Sequence, residues 1–476
     1  MWAFATKDAF YLGTDDWFLV EHGRHPLTWD RLFSLQREGT PAVRPLSLAF
    51  ARLCHLAFGE ACLPRRALIL GLHAVAATSV YLLGRRWDGE RAGAMAAVLF
   101  LVWPLHAETL SWFHSGETSV PFAALSLAAL ASFAYGLNAG WVVLLQLLAL
   151  LFRENAVVLG PLMVALGTMG ARVDDRFGWR AALHAGLVRA RWPLAVTLGW
   201  VSVRAVQVIS ALDGRTGAAL PLSDAPLDAI MTVLFHLFCP VLPGFSVSAV
   251  LATVSALAIG VGLVNGLGQG GWRPTMAGLR GLVVALAFAA PFVPLFDASD
   301  PLFEVYPGIY ERRWYHLYPV AAGLALVLGP AAARLPVRWA LLAPALAGAL
   351  LILNAGLWVE PGPSLRASLA QLRAEEAPGA PFALVLDAAP KDPILAELVE
   401  HQVLVLPRIL GKDLAIYKVD PDGVRAVSVK DRHGYPYWRG LPPAEAPPEA
   451  TRYHRWLANE RRHVPVDVSV LPPRPE

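Results

Sequence analysis

Long runs of uncharged apolar residues recur along most of the chain. Nine runs contain no Asp, Glu, Lys or Arg, and a tenth, at 193–212, is interrupted only by Arg204. The nine runs occupy residues 67–84, 92–105, 118–137, 139–152, 156–170, 248–266, 281–296, 314–330 and 339–357. A membrane-spanning helix needs about 20 predominantly apolar residues. We therefore predict about ten spans, of which the shorter ones are tilted or broken.

The composition points to the same architecture. The 476-residue chain is 56% hydrophobic and only 16% charged, whereas ordinary soluble proteins are about 25% charged. A net charge of +3 without a long basic run argues against nucleic acid as a partner. The three cysteines form neither a CxxC pair nor a metal-binding spacing. The sequence thus predicts an α-helical, multi-pass integral membrane protein.

Arginines mark one side of the predicted bundle. If the loops alternate between the two sides, one set of loops carries twelve arginines and the opposite short loops carry four. The positive-inside rule places the arginine-rich side in the cytoplasm. This arrangement requires that residues 229–247 lie along the outer surface without crossing. The twelve are Arg85, Arg86, Arg91, Arg172, Arg176, Arg180, Arg189, Arg191, Arg273, Arg280, Arg334 and Arg338, and the four are Arg153, Arg215, Arg312 and Arg313.

Three regions follow from this topology. Residues 1–66 form an outer segment, 67–357 the transmembrane domain, and 358–476 a small outer α/β domain. The polar outer segment has no apolar helix before it, so we expect a first helix to precede the written sequence, which gives eleven spans. Apolar runs in the last region predict strands at 382–386, 403–406 and 424–429, and a helix at 393–402.

Polar side chains gather at five places on, or near, the predicted outer side. These are the Asp15-Asp16 pair, His106-x-Glu108 after Pro104, Arg153-Glu154, Arg204 within its span, and Arg312-Arg313 before Trp314 and Tyr315. Adjacent carboxylates repel each other, which raises the pKa of one and suits a general base. Ionisable groups deep in a membrane protein are expensive and usually functional. The planar fork of an arginine binds phosphate oxygens with two hydrogen bonds.

Each cluster also has a purely structural interpretation. Two adjacent aspartates can cap a helix or close a turn. His106 and Glu108 could bind a divalent cation with Asp15 or Asp16, or simply lie at the membrane interface. Arg153 and Glu154 could pair with each other in a tight outer turn. The residues alone leave these alternatives open.

In order and spacing, the motifs resemble the GT-C class of multi-pass glycosyltransferases. The resemblance is to bacterial relatives of the transmembrane, TPR-containing O-mannosyltransferases, with protein O-mannosyltransferases and aminoarabinose transferases as distant cousins. Arg153 stands where the family usually has lysine, and no TPR repeat follows. The resemblance covers residues 10–360 and rests on Asp15-Asp16, Arg44-Pro45-Leu46, the His73 helix, the 100–108 segment, and Arg153-Glu154-Asn155 with Pro161.

The resemblance implies sugar transfer from a polyprenyl-phosphate carrier at the extracytoplasmic face of a bacterial inner membrane. Asp15 or Asp16, with Asp15 favoured, would deprotonate a hydroxyl of a protein, lipid or glycan acceptor, which then displaces the lipid phosphate with inversion. We expect no cofactor, because arginines can neutralise the leaving phosphate; a divalent cation held by Asp16, His106 and Glu108 is the alternative. The further substrate-binding candidates are His106, Glu108, Arg153, Glu154, Arg204, Arg312, Arg313 and Tyr315.

Three other functions are compatible with a polytopic chain of this kind. A polysaccharide ligase or polymerase shares the donor chemistry but usually has one large outer loop late in the chain. A lipid or sugar transporter typically shows internal repeats and interrupted helices with charges at the bilayer midplane, and the sequence has no internal repeat. A membrane scaffold would have no use for the acidic pair.

Overall fold

The computed structural model describes a helical bundle and a small sheet. It covers residues 26–28, 44–59, 61–111, 113–173, 178–212, 276–290 and 314–359, together with five strands between 382 and 466. The helices are α1 Pro45–Phe58, α2 Cys62–Asp88, α3 Glu90–Leu101, α4 His106–Ser111, α5 Phe113–Ala134, α6 Ala139–Phe152, α7 Leu159–Val173, α8 Trp179–Arg189, α9 Arg191–Leu212, α10 Met276–Ala289, α11 Trp314–Arg334 and α12 Val337–Val359, with a 3-10 turn at Glu154–Val158.

Four of the described helical segments are long and apolar enough to cross a membrane. They are Cys62–Asp88, Ser115–Ala134, Glu154–Ala171 and Leu317–Arg334. Shorter apolar helices are Pro45–Phe58, Ala139–Phe152, Met276–Ala289 and Val337–Ile352. The helical, membrane-embedded class that the sequence predicts is thereby confirmed. The count of about ten spans stays a prediction, since one predicted span, 248–266, lies outside the described residues.

The apolar run 92–105 does not form a complete span. Helix α3 ends at Leu101 after 12 residues, which extend about 18 Å, against about 30 Å for the bilayer core. Pro104 lacks an amide hydrogen and disfavours helix at the residue before it. The chain therefore turns at residues 102–105 and continues as α4 and α5.

Two further helices lie in regions that the sequence analysis treated as polar. Helix α1 falls within the predicted outer segment and begins with Pro45, whose fixed φ suits the first helical position. Helix α8 lies within the predicted cytoplasmic loop 171–192. A search for uncharged runs misses both, because Arg52 interrupts α1 and Arg180 interrupts α8.

Helices α2, α5 and α11 run parallel to one another. Near the beginnings of α2 and α5, Arg65 Nη1 lies 3.3 Å from Glu117 Oε1. Near their ends, the Tyr135 hydroxyl donates to the Leu82 carbonyl at 3.2 Å. Helix α11 contacts α2 along its length through His73–Tyr318 and, at the far end, Arg334–Asp88. The two ends of this bundle therefore gather different sets of side chains.

At one end, which we call the arginine end, arginines bind the carbonyls that terminate helices. Arg189 donates to the Phe133 carbonyl at 2.7 Å and Arg91 to the Leu335 carbonyl at 2.7 Å. Cations at helix C-termini are favoured by the helix dipole. Partial burial, and then the charge of nearby Arg86, lowers the pKa of Arg189. Several of the arginines that the sequence assigns to the cytoplasmic side therefore lie at one end of the described bundle.

The sheet has the order β3-β2-β1-β4-β5. Strand β1 pairs in parallel with β2 and β4, and β3 and β5 are antiparallel edges. Strand β1 coincides with the strand predicted at 382–386, and β3 with most of 424–429. The predicted strand 403–406 and helix 393–402 lie outside the described residues, so the α/β domain stays a prediction. The strands are β1 Phe382–Leu386, β2 Ala415–Asp420, β3 Gly423–Val427, β4 Arg452–Leu457 and β5 Arg462–Val466.

Candidate active site

Opposite the arginine end, buried polar side chains collect where α2, α5 and α11 begin; we call this region the polar end. Its members come from five separate stretches of sequence. They are Arg65, Arg66 and His73 of α2, His106 and Ser111 of α4, Glu117 and Ser119 of α5, Arg153 after α6, and Tyr318 of α11. Buried polar groups are costly unless they are paired, so their contacts define the site.

Two buried arginines of α2 contact the junction between α4 and α5. Arg65 and Glu117 are 0% and 1% exposed and form an ion pair. Arg66, 1% exposed, donates from Nη2 to the carbonyl of Ser111 at 2.5 Å. Its guanidinium also lies 4.4 Å from the centre of the Phe113 ring, a cation–π distance. Both sides of the α4–α5 junction are therefore in contact with α2.

Arg153 and Glu154 point to different partners. Helix α6 ends at Phe152, and Arg153 has an extended backbone before the 3-10 turn begins at Glu154. Arg153 is buried, and its Nη1 donates to the hydroxyl of Ser119 at 2.7 Å. Glu154 lies at the more exposed side and forms an ion pair with Arg204 at 3.0 Å.

These contacts change the interpretation of this motif. The structural alternative was an ion pair between Arg153 and Glu154 within one tight turn. Instead, Arg153 contacts Ser119 of α5 and Glu154 contacts Arg204 of α9. The sequence analysis placed Arg204 in its span as a phosphate ligand, and the structure gives it a neutralising carboxylate. The motif therefore connects three helices near the polar end.

An aromatic cluster containing two histidines lies deeper in the same half of the bundle. His73 Nδ1 lies 2.5 Å from the Tyr318 hydroxyl, and its Nε2 lies 3.3 Å from the Leu101 carbonyl. A carbonyl only accepts hydrogen bonds, so the proton resides on Nε2 and Tyr318 donates to Nδ1. The ring of His106 packs 4.5 Å from Tyr318 and 5.0 Å from His73, measured between ring centres.

The structure brings some of the predicted site residues together. His106 lies in the aromatic cluster, Arg153 contacts α5, and Glu154 pairs with Arg204. Glu108 lies in α4 and Tyr315 in the first turn of α11. Asp15, Asp16, Arg312 and Arg313 lie outside the described residues, so their roles stay predictions.

Arg65, Arg66, Ser119 and Tyr318 are site residues that the sequence pattern did not predict. One signal was present, because Arg65 and Arg66 end the outer segment, on the side that the positive-inside rule places away from the cytoplasm. Two arginines there need a reason other than the positive-inside rule. The remaining contacts join residues far apart in sequence, and local patterns do not encode such pairs.

The described residues contain no group of three His, Cys, Asp or Glu side chains that could hold a metal ion. Both nitrogens of His73 are engaged by Tyr318 and Leu101. The predicted cation alternative includes Asp16, which is outside the described residues, and therefore stays untested.

No family model matches the chain, and no curated protein matches it. Solved structures do resemble it, and these neighbours are membrane glycosyltransferases of the GT-C class. They include an archaeal oligosaccharyltransferase and ArnT.

The oligosaccharyltransferase AglB from Archaeoglobus fulgidus, in complex with an inhibitory peptide and a dolichol-phosphate, is 14% identical over 87% of this chain and 66% of its own, with a TM-score of 0.39. Another A. fulgidus oligosaccharyltransferase structure, with Zn and sulfate, is 15% identical over 84% of this chain and 59% of its own, with a TM-score of 0.40. ArnT from Cupriavidus metallidurans bound to undecaprenyl phosphate is 16% identical over 87% of this chain and 83% of its own, with a TM-score of 0.35.

The chain thus spans less than two thirds of the length of either oligosaccharyltransferase. All three TM-scores are below 0.5.

Proposed function

We propose that the chain is a glycosyltransferase that moves a sugar from a polyprenyl-phosphate carrier to an acceptor hydroxyl. The observation that supports this best is the convergence of His106 and the Arg153-Glu154 motif on one end of the bundle. Contacts between these groups and distant helices are the kind of supporting shell that a catalytic site requires. Two of the described motifs that resemble the GT-C class, at 100–108 and 153–155, lie at this same end.

In the proposed reaction, Asp15 removes the proton from the acceptor hydroxyl. The hydroxyl oxygen attacks the anomeric carbon of the sugar, and the bond from that carbon to the phosphate oxygen breaks. The electron pair of that bond remains on the lipid phosphate, which leaves as an anion. Attack opposite the leaving group inverts the anomeric configuration.

Arginines at the polar end are proposed to stabilise the negative charge that grows on the phosphate. Fixed cations in a site with little water act strongly, because no reorganisation is needed during the reaction. Arg153 suits this role, since it is buried and its orientation is fixed by Ser119. Arg204 is balanced by Glu154, so we assign it mainly to holding that carboxylate. Arg312 or Arg313 is the further candidate.

We also propose that the polar end faces the outside of a bacterial inner membrane. The arginine end then faces the cytoplasm, as the positive-inside rule requires. His106 and Glu108 would orient the acceptor, and Tyr315 would contribute to the substrate site. The acceptor is a protein, a lipid or a glycan. No resident metal is part of this proposal, because the arginines can neutralise the leaving phosphate.

The base assignment is tested with Asp15→Asn in the purified full-length chain. We expect sugar transfer from polyprenyl-phosphate donors to fall by about 100- to 10,000-fold, the usual contribution of a general base. Asp16→Asn should have a smaller effect, and Asp30→Asn, which removes another carboxylate of the outer segment, should have none. Monodisperse elution and an unchanged melting temperature establish folding. Wild-type turnover in folded Asp15→Asn protein would show that Asp15 is not the base.

A further inference from the structure

Among the described residues, the consecutive arginines Arg65 and Arg66 are the most deeply buried cations at the polar end, and none of the motifs gives them a role. They are 0% and 1% exposed. Successive residues of an α-helix point about 100° apart, so the two side chains leave α2 in different directions. Both reach the junction between α4 and α5.

Arg66 contacts the junction on both sides. Its Nη2 donates to the carbonyl of Ser111, the last residue of α4. A helix C-terminus leaves its carbonyls without partners inside the helix, and a charged donor forms a strong bond to such a group. The same guanidinium packs over the ring of Phe113, the first residue of α5.

Arg65 contacts Glu117 of α5, four residues after Phe113. Its ion pair with Glu117 joins two side chains that are almost completely buried, with Nη1 and Oε1 3.3 Å apart. Breaking a buried ion pair is strongly destabilising, because each charge loses an opposite charge in surroundings that exclude water. This contact fixes the distance between α2 and the beginning of α5.

A close backbone approach completes the junction. A Cβ added at Gly116 would lie 2.8 Å from Ile69 Cδ1 and 2.9 Å from the Thr109 carbonyl oxygen. Helices α2, α4 and α5 therefore meet here without space for a methyl group. A shift of α4 relative to α2 would have to break the Arg66–Ser111 bond or separate these surfaces.

Stability alone does not explain two buried arginines. Replacing a buried ion pair by apolar side chains of similar size is often neutral or stabilising. Arg66 contacts the end of α4, which is only six residues long and carries His106 and Glu108, and Arg65 contacts α5 just beyond it. A helix this short has little stability of its own.

We propose that Arg65 and Arg66 are positioning residues, which hold the α4–α5 junction and thereby set the place of His106 and Glu108 during transfer. This inference rests on the proposed function. Neither arginine needs to touch the substrate. Their effect on the reaction passes through the geometry of α4.

The first test compares Arg66→Met with Arg189→Met. Arg189 makes the same two contacts at the other end of α5, donating to the Phe133 carbonyl at 2.7 Å and lying 4.6 Å from the centre of its ring. Per folded molecule, Arg66→Met should lower kcat about 10- to 100-fold, because small misplacements of a catalytic group have effects of that size. The donor KM should change less than about 3-fold. Arg189→Met should leave kcat unchanged.

The second test exchanges the charges of the Arg65–Glu117 pair. Arg65→Glu and Glu117→Arg should each abolish most of the transfer, whereas the double variant should recover at least about a tenth of the wild-type kcat. Rescue depends on the pair itself, since each single variant leaves two like charges buried together. Wild-type kcat in folded Arg66→Met protein, or a double variant no better than the singles, overturns the positioning role.

Amide hydrogen exchange separates this inference from the proposed function. In Arg66→Met, amides of residues 106–116 should exchange at least about 10-fold faster than in the wild type. Arg189→Met should accelerate residues 130–137 instead. Unchanged exchange at 106–116 overturns the proposed junction. A wild-type chain that transfers no sugar while Arg66→Met still accelerates this segment contradicts the proposed function and leaves the arginines a purely structural role.

Discussion

At the scale of single residues, the geometry of the polar end depends on a few buried hydrogen bonds whose partners are distant in sequence. One of these hydrogen bonds joins His73 to Tyr318, which lie 245 positions apart in the sequence. The sequence singled out the His73 helix but contained no indication of its partner. A histidine on an apolar helix is equally compatible with a ligand and with a satisfied core residue. The structure favours the core residue, because α11 places the Tyr318 hydroxyl against His73 Nδ1.

Removal of the Tyr318 hydroxyl tests this hydrogen bond. Tyr318→Phe leaves His73 Nδ1 buried without its donor, so we expect a loss of about 1–3 kcal/mol. His73→Leu should show a similar loss, and the double variant should cost clearly less than the sum of the two, because the residues share one interaction. Melting temperatures in detergent provide the measurement.

The matched control is Tyr135→Phe. Its hydroxyl donates to the Leu82 carbonyl in an exposed setting at the arginine end, where water can replace it. The melting temperature should therefore barely change. Additive effects of Tyr318→Phe and His73→Leu would show that the two side chains are not coupled.

At the scale of helices, the hydrophobic pattern predicted where most apolar segments lie but not how they are divided. The run 92–105 contains Pro104, and the sequence analysis retained it as one span; the structure ends α3 at Leu101 and places the short α4 after the turn. The pattern also missed α1 and α8, since single arginines interrupt them. The hydrophobic pattern indicates which segments are apolar, whereas the ends of a helix depend on residues such as proline that interrupt its backbone hydrogen bonds.

Helix packing is tested at Gly323 in α11. An added Cβ would collide with the backbone nitrogen of Ala285 and lie 2.6 Å from its Cα. Gly323→Ala must therefore push α10 away from α11, and we expect a loss of about 1–3 kcal/mol and a lower melting temperature. Gly71→Ala in α2, where nothing lies within 4 Å of the added carbon, should be neutral or stabilising. Equal melting temperatures for the two variants would contradict the α10–α11 contact.

At the scale of the whole molecule, the bundle has two chemically different ends. The sequence predicted this from the distribution of arginines, and the structure brings several of them to one end, where they bind helix-terminal carbonyls. The composition of the polar end was predictable in part. Arg153, Glu154 and His106 were identified, whereas Arg65 and Arg66 were not, because consecutive arginines before an apolar run usually mark a membrane boundary.

Orientation is tested by cysteine labelling in a background without the three native cysteines. Ala61→Cys lies just before α2 at the polar end, and Leu137→Cys lies in the turn after α5 at the arginine end. We expect a membrane-impermeant maleimide to label position 61 in intact spheroplasts, and position 137 only after permeabilisation. The reverse pattern would place the arginine end outside and contradict the proposed orientation.

The proposed activity is tested most directly by sugar transfer in the purified wild-type chain. The protein in nanodiscs is given a panel of polyprenyl-phosphate sugars, with membrane extract as the source of acceptor, and release of the lipid phosphate is measured. In parallel, the protein in proteoliposomes is assayed for transport of the same lipids across the bilayer. We predict release of lipid phosphate from at least one donor, dependent on acceptor and lowered about 100- to 10,000-fold by Asp15→Asn. Movement of the intact lipid across the bilayer without cleavage of the sugar–phosphate bond would contradict the account and identify a transporter.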